Sequence, residues 1–449
     1  MLWDMKLASL AAACLLSSGV AASPVDALNN GKGHGKGNGN HGNGGNPHKE
    51  DRHWVATWTS MPQLVEQANL PPAPYTGSNV FVNATLRQTL HTSIGASRIR
   101  IQVSNIFGGS PLPIDAMSFA FPPGDNAGVG TIEPATLLNL TFNGSSSVVI
   151  PEGQAIYTDP IDVSIGPQTM VTVTMYSEAG QTGTNITGHP GSRTDSWMSP
   201  GNLVNAFNVT DAFTAHWYFL TAIEAWAPTT TKALVIIGDS ISDGRGSTDN
   251  ENNRWPDLLL ARMQEENITD IAVVNQAAGG NAVLSGGNGP PLIQRYKRDL
   301  LSTAGAAWGL IFEGVNDIGP APADKATQDK IVSDLEAAFK QITSDAKKAG
   351  IEMFGATITP FGGDGQAYSA PVRDTARREL NDWILSGGAG GYARAIDFAK
   401  FLANPKNTTQ LAPQYNSGDH LHPNPAGYQA IADRFPLDIF PHVSSNLCL

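Results

Sequence analysis

Leu234-Val235-Ile236-Ile237-Gly238-Asp239-Ser240 is a short apolar run that stops abruptly in a small turn presenting one hydroxyl. An uninterrupted run of this length suits a buried strand, and the polar tripeptide after it suits a strand-end turn. Ser240 is therefore the candidate nucleophile.

Downstream of Lys232, apolar strands alternate with helix-length segments. The strands are expected over 233–237, 271–275, 308–313, 351–357 and 394–398, and the helices over 255–266, 326–348 and 372–385. That rhythm predicts an α/β domain with a parallel sheet. In such sheets the binding crevice lies outside the carboxyl ends of the strands, so residues that follow different strands can converge there.

Upstream, the pattern is strand-like from His53 to about Ala227, as in Arg98-Ile99-Arg100-Ile101-Gln102-Val103, where apolar and polar residues alternate. Similar runs cover 80–90, 169–176 and 216–226, punctuated by Gly and Pro clusters, which predicts an antiparallel, sandwich-like β domain. The rhythm changes near Pro228-Thr229-Thr230-Thr231. The expected divisions are a signal peptide over 1–22, a Gly/Asn/His-rich linker over 23–52, a β-sandwich-like accessory domain over 53–228 and the α/β domain over 229–449. Lys6, the apolar Leu7–Leu16 run and Val20-Ala21-Ala22 have the layout of a secretory signal, so the protein is expected to be secreted. The run is shorter than the roughly 20 residues a membrane span needs. The linker is nearly devoid of apolar side chains and cannot offset the entropy of folding; its His34, His41 and His48 read as part of a solvated segment rather than a metal site.

A serine hydroxyl attacks an ester only when a neighbouring base takes its proton, the task of a histidine held by a carboxylate. Asp419 and His422 are spaced so that one turn lets the carboxylate fix the ring. Pro423 disfavours helix at His422, and Asn424-Pro425 reads as the cap and first position of a helix. Acyl transfer also needs donors for the developing oxyanion, and the Ser240 and Gly280 backbone amides with the Asn316 side-chain amide can supply them. Loss of one such donor costs about 3 kcal/mol in the barrier. No cofactor is required. Activity is expected to rise with pH through a histidine pKa near the ordinary value of about 6.5.

These residues carry a resemblance to the SGNH, or GDSL-motif, serine hydrolases. Gly238-Asp239-Ser240-Ile241 is similar to their first block, Gly280 to their second, Gly314-x-Asn316-Asp317 to their third and Asp419-x-x-His422 to their last. Over about 232–436 the resemblance implies a flavodoxin-like three-layer fold, with Ser240, His422 and Asp419 as catalytic triad and Ser240, Gly280 and Asn316 as oxyanion hole. Asn253-Arg254-Trp255-Pro256-Asp257-Leu258-Leu259, Ala356-Thr357-Ile358-Thr359-Pro360-Phe361 and Gly418–Pro423 further resemble a secreted subgroup with a β-rich domain ahead of the hydrolase. Its members are usually labelled lipases or acylhydrolases, and some carbohydrate esterases.

Rival readings are weaker. The chain has no Gly-x-Ser-x-Gly elbow, and Ser242 lies past the strand end. A metal hydrolase built on Asp419, His420 and His422 lacks a His-Glu-x-x-His or second ligand cluster. A carbohydrate-binding protein with an inactive hydrolase domain would use Trp54, Trp58, Trp197 or Trp217, yet such rings are mostly core. A formal net charge of -12 argues against nucleic-acid or anionic-membrane partners. The two cysteines, Cys14 and Cys448, leave the expected mature chain without an internal disulfide. Sequons begin at Asn83, Asn139, Asn143, Asn185, Asn208, Asn267 and Asn407, as expected of a secreted glycoprotein. The expected substrate is a carboxylic ester, on extracellular polymer such as acetylated plant polysaccharide or, alternatively, a lipid or aryl ester; the sequence leaves the oligomeric state open.

Overall fold

The computed structural model describes residues 51–440. The expected signal peptide, most of the linker with its histidines, and both cysteines lie outside the described residues.

Alternation builds the first half. In the strand Ala96–Ser104, Ile99, Ile101 and Val103 are fully buried while Arg98 and Arg100 point outward. Arg98 pairs with Asp162 and Arg100 with Glu224. This strand lies in an antiparallel sheet ordered 52–59, 220–228, 96–104 and 155–157, with 161–165 also pairing with 96–104. A second antiparallel sheet is ordered 212–214, 196–200, 84–91, 170–177, 116–120 and 138–139. An apolar core joins the two sheets, with Leu86, Val173, Phe119 and Met198 of the second meeting Ile99, Ile101 and Ile223 of the first.

Two expected strands are interrupted. The 80–90 run breaks where Phe81 and Asn83 take positive φ, and the 216–226 run breaks at Phe219 with φ 63°. No glycine marks these bends, so composition gave no warning of them. The central strands 84–91 and 170–177 are also buried on both faces rather than one. Arg87, fully buried, makes this possible by donating to Thr174 Oγ1 and to the carbonyls of Gly130, Ala206 and Phe207. Burial pulls its pKa down to about 10, so it stays charged at neutral pH.

The tryptophans considered for sugar binding are engaged internally. Trp58 and Trp217 are buried edge-to-face, Trp54 lies under the Arg100 guanidinium, and Trp197 donates to Gly128 O.

The second half is a five-stranded parallel sheet ordered 271–275, 232–238, 306–312, 352–356 and 394–396. In chain order this is 2-1-3-4-5, the flavodoxin-like arrangement. Helices Trp255–Glu265, Lys325–Lys348, Pro371–Leu385 and Pro425–Arg434 flank it. Two-sided cover explains the unbroken apolar reading of 233–237, since Leu234 and Ile236 enter one core and Val235 and Ile237 another. The long helix is capped by Asp324, which accepts from Thr327 N, and it buries Val332, Leu335, Phe339, Ile342 and Ala346 along one face. The segment Leu292–Tyr296, continued as a π-helical turn over Lys297–Leu301, was not expected; its Arg295 is buried where a charge reads as surface.

The described residues, 51–440, all fall within one compact unit. Val55, Ala56, Ile94, Ala225 and Ala227 from the β-rich part share a core with Val235, Ile237, Ala272 and Val274 of the parallel sheet. Ser93 Oγ accepts from Val273 N on the edge strand, and Thr59 Oγ1 donates to Asn275 O. The β-rich part thereby covers an edge that would otherwise offer unpaired backbone groups. Among the described residues no helix is long and apolar enough to cross a membrane.

Candidate active site

The first parallel strand has neighbours leaving on opposite sides, 271–275 and 306–312, so its carboxyl end is the switch point where the sheet opens a crevice. The chain must turn sharply there. A Cβ on Gly238 would press on Ser242 Oγ at 2.7 Å and on Phe312 O at 3.0 Å. Asp239 then caps the single-turn helix Ser240–Asp243 by accepting from Ile241 N at 2.9 Å. Ser240 is the first residue of that turn and retains 7% exposure.

From the other end of the fold, the segment ahead of helix Pro425–Arg434 brings in His422. Asn424 caps that helix through Gly427 N, and Ser417 N bonds His422 O, closing the bent loop 417–422. His422 Nε2 lies 2.8 Å from Ser240 Oγ, and His422 Nδ1 lies 2.6 Å from Asp419 Oδ2. The other Asp419 oxygen accepts from the His422 and Leu421 backbone amides. Partial burial pushes the Asp419 carboxyl upward, but the hydrogen bonds from His422 and Leu421 outweigh it and hold the pKa at about 2. Burial depresses the His422 pKa below its ordinary value, Asp419 opposes that shift, and the charges of Arg245 and Arg193 add to the depression. A neutral imidazole facing the hydroxyl is the form that can accept its proton.

His420 is not part of this relay. It sits at φ 60°, with Nδ1 3.1 Å from Asn416 Nδ2 and its ring packed on Gly363. Ser242 is buried and accepts from Trp255 Nε1. No group of three or more His, Cys, Asp or Glu able to hold a metal occurs among the described residues.

Gly280 has φ 72°, and a Cβ there would meet Asn288 Nδ2 at 2.7 Å, so glycine serves both backbone and space. Asn316 follows Gly314, whose φ of 123° no L side chain adopts readily. One Asn316 Nδ2 hydrogen goes to Asn281 O at 2.8 Å, and Tyr368 OH donates to its Oδ1 at 3.2 Å, which leaves the second amide hydrogen for a ligand. Asp317, readable as an ordinary turn residue, takes both Val283 N and Leu284 N, tying the Asn316 turn to the Gly280 loop. Neither Ser240 N–H nor Gly280 N–H has a hydrogen-bond acceptor among the described residues. The three donors expected from the sequence thus sit on loops bound to one another.

Beneath these loops lies a charged cluster with no sequence signature. Arg295 donates to Asn281 Oδ1 at 2.8 Å, Gln276 O at 2.7 Å and Gly238 O at 3.3 Å, joining the strand ends that carry Ser240 and Gly280. It also meets Asp299 and Glu313. Burial pushes the carboxyls of Glu313, Asp239 and Asp317 up to about 8, 7 and 6. Asp243, three residues past Ser240, contacts His189 of the β-rich part. Nothing in the sequence couples those two positions.

Residues 236–430 match the model of the GDSL-like Lipase/Acylhydrolase family. A comparison with curated proteins finds no match. Among solved structures, a GDSL-like lipase from Bacteroides thetaiotaomicron is 15% identical, with 48% of this chain and 88% of that one covered and a TM-score of 0.34. An acetylxylan esterase from Geobacillus stearothermophilus is 20% identical, with 46% and 94% covered and a TM-score of 0.34.

Proposed function

With residues 236–430 forming a GDSL-like lipase/acylhydrolase domain, and the chain accordingly a carboxylic ester hydrolase, we propose that it is a secreted serine esterase working through an acyl-enzyme. Ser240 attacks the ester carbonyl while His422 takes its proton. His422 then protonates the departing alcohol, and water hydrolyses the acyl-serine by the same roles in reverse. Asp419 holds the imidazole in the tautomer that offers Nε2 to Ser240 and stabilises the imidazolium that forms. Ser240 N–H, Gly280 N–H and the Asn316 amide receive the oxyanion. The observation that carries this reading is the continuous line from Ser240 Oγ through His422 to Asp419, at 2.8 and 2.6 Å.

The groups beside the oxyanion donors are polar: Asn288, Asn316 and Tyr368, with the exposed Arg245 on the nucleophile's side. They favour a small acyl group on a polar alcohol, such as acetate on an extracellular polysaccharide, over a long acyl chain. Secretion and glycosylation rest on the signal-like residues 1–22 and on the seven sequon asparagines, all of which are exposed. Hydrolysis of a short-chain aryl acetate by the purified protein beside folded Ser240→Ala tests the mechanism; equal activity in the two would overturn it. Acetate release from acetylated xylan, compared with hydrolysis of longer-chain glycerides, tests the substrate class. Release no greater than that of Ser240→Ala would remove the polysaccharide.

A further inference from the structure

The β-rich part reaches the catalytic turn through one side chain. His189 ends the strand Thr187–His189 and is buried. Its Nδ1 lies 3.0 Å from Met61 O and its Nε2 lies 2.8 Å from Asp243 Oδ1. Asp243, also buried, closes the helical turn that Ser240 opens, and its Oδ2 accepts from Gly279 N at 2.7 Å. Gly279 immediately precedes Gly280. A single carboxylate therefore spans from the β-rich part to the backbone of the oxyanion loop.

The fit around this contact leaves little freedom. A Cβ on Gly191 would collide with Asp243 Oδ2, so the segment after His189 lies directly against the carboxylate. Trp217 stacks on the His189 ring with centroids 5.8 Å apart, and Arg254 donates to Ser192 O beside it. The hydrogen inventory is also fixed. A carbonyl oxygen only accepts, so His189 Nδ1 carries a hydrogen toward Met61. The Nε2–Oδ1 contact then needs a second proton, either as imidazolium with carboxylate or as imidazole with carboxylic acid. In both forms the contact is a strong, directional hydrogen bond between buried partners.

We propose that His189 is a positioning residue of the oxyanion hole: by orienting Asp243 it fixes Gly279 N–H and hence the angle at which Gly280 N–H faces the substrate. The β-rich part is on this account a working piece of the active site. This rests on the reading of Ser240, Gly280 and Asn316 given above. Misplacing a donor by a fraction of an ångström weakens transition-state stabilisation while leaving ground-state binding nearly intact.

The test uses the full chain and short-chain aryl acetate hydrolysis. His189→Ala and Asp243→Ala should each lower kcat on the order of 10- to 100-fold with KM changed less than about threefold. Both should weaken an aryl trifluoromethyl ketone, which forms a tetrahedral adduct on Ser240, by a similar factor, while a non-reactive product alcohol binds as in wild type. The double variant should be little worse than either single one, because the two residues act as one unit. Asp243→Asn should lose less than Asp243→Ala. Its amide oxygen can accept from Gly279 N–H while its amide N–H donates to a neutral His189 Nε2. A cooperative thermal melt certifies each variant, and if His189→Ala lacks one, His189→Leu, which fills the space without a hydrogen bond to Asp243, carries the same comparison. Wild-type kcat and ketone affinity in folded His189→Ala or His189→Leu would overturn the proposal while leaving the esterase reading standing. Wild type no more active than Ser240→Ala would overturn both.

Discussion

On the proposed mechanism, the pH behaviour of the protein turns on one imidazole. The sequence alone assigns His422 an ordinary pKa, but burial lowers it, and the charges of Arg245 and Arg193 lower it further against the pull of Asp419. The proposed mechanism needs the neutral ring, so kcat/KM should climb with pH on the acid side along a one-proton limb centred below the ordinary value of about 6.5, and should be level by neutral pH. Arg245→Gln removes a positive charge that disfavours the imidazolium. The His422 pKa must then rise and the limb move to higher pH, by less than about one unit because Arg245 is exposed and screened. The shift should shrink further in high salt. Rate profiles of both proteins at low and high salt check this; a limb that moves to lower pH in Arg245→Gln would contradict the assignment of His422 as base. Much of this site was legible at the residue scale because its signals are local. A carboxylate three positions before a histidine reaches both the ring and its backbone amide within one turn. His189 and Asp243 were illegible for the converse reason: their contact spans 54 residues and no periodicity relates them.

At the scale of elements, the crevice is made by strand ends that carry carboxyls inward. Asp239 follows the first strand, Glu313 the third, and Asp317 the turn after it; Glu313 pairs with Arg295 from the unexpected helical segment 292–296, Asp239 senses the Arg295 charge, and Asp317 is held by the Val283 and Leu284 amides. Burial raises all three pKa values above those of an unfolded chain, so the folded state holds protons that the unfolded state releases. These groups cost nothing below about pH 4, where both states are protonated. They destabilise progressively from about pH 4, where the unfolded chain releases its protons, and the cost levels off at about 6 to about 8, where the folded carboxyls ionise as well. Glu313 Oε1 lacks a hydrogen-bond partner, so the neutral form suits the site. Glu313→Gln should therefore leave the melting temperature nearly unchanged at about pH 4 and raise it increasingly relative to wild type up to pH 8 to 9. Thermal melts across that range decide it, and a variant less stable than wild type at pH 9 would show that Arg295 requires the ionised carboxylate. The strands and long helices were readable because their apolar periods are uniform over many residues. The helical segment 292–301 was not, since its buried Arg295 imitates a surface charge and its closing turn is π-helical.

At the scale of the whole molecule, the change of rhythm at 228–232 is a true change of architecture, from antiparallel sheets to a parallel one. What the rhythm did not convey is that the β-rich part has two destinations for its apolar side chains. Ile99, Ile101 and Val103 enter the core between the antiparallel sheets, while Val55, Ala56, Ile94, Ala225 and Ala227 enter the core of the parallel sheet. Alternation looks the same in either case, because it reports that a face is buried and not against what. Residues 229–449 produced alone would expose Ala272 and Val274 and free the Val273 N–H that Ser93 now satisfies. An uncovered edge strand with an apolar face promotes association between chains. We expect this piece to elute as aggregate in size-exclusion chromatography, or to melt without a cooperative transition, while the full chain remains compact. A monomeric, cooperatively melting 229–449 would show that the shared core is dispensable for folding. Its esterase kcat would then be informative in its own right, because lacking His189 it should match the full-length His189→Ala protein and not the wild type.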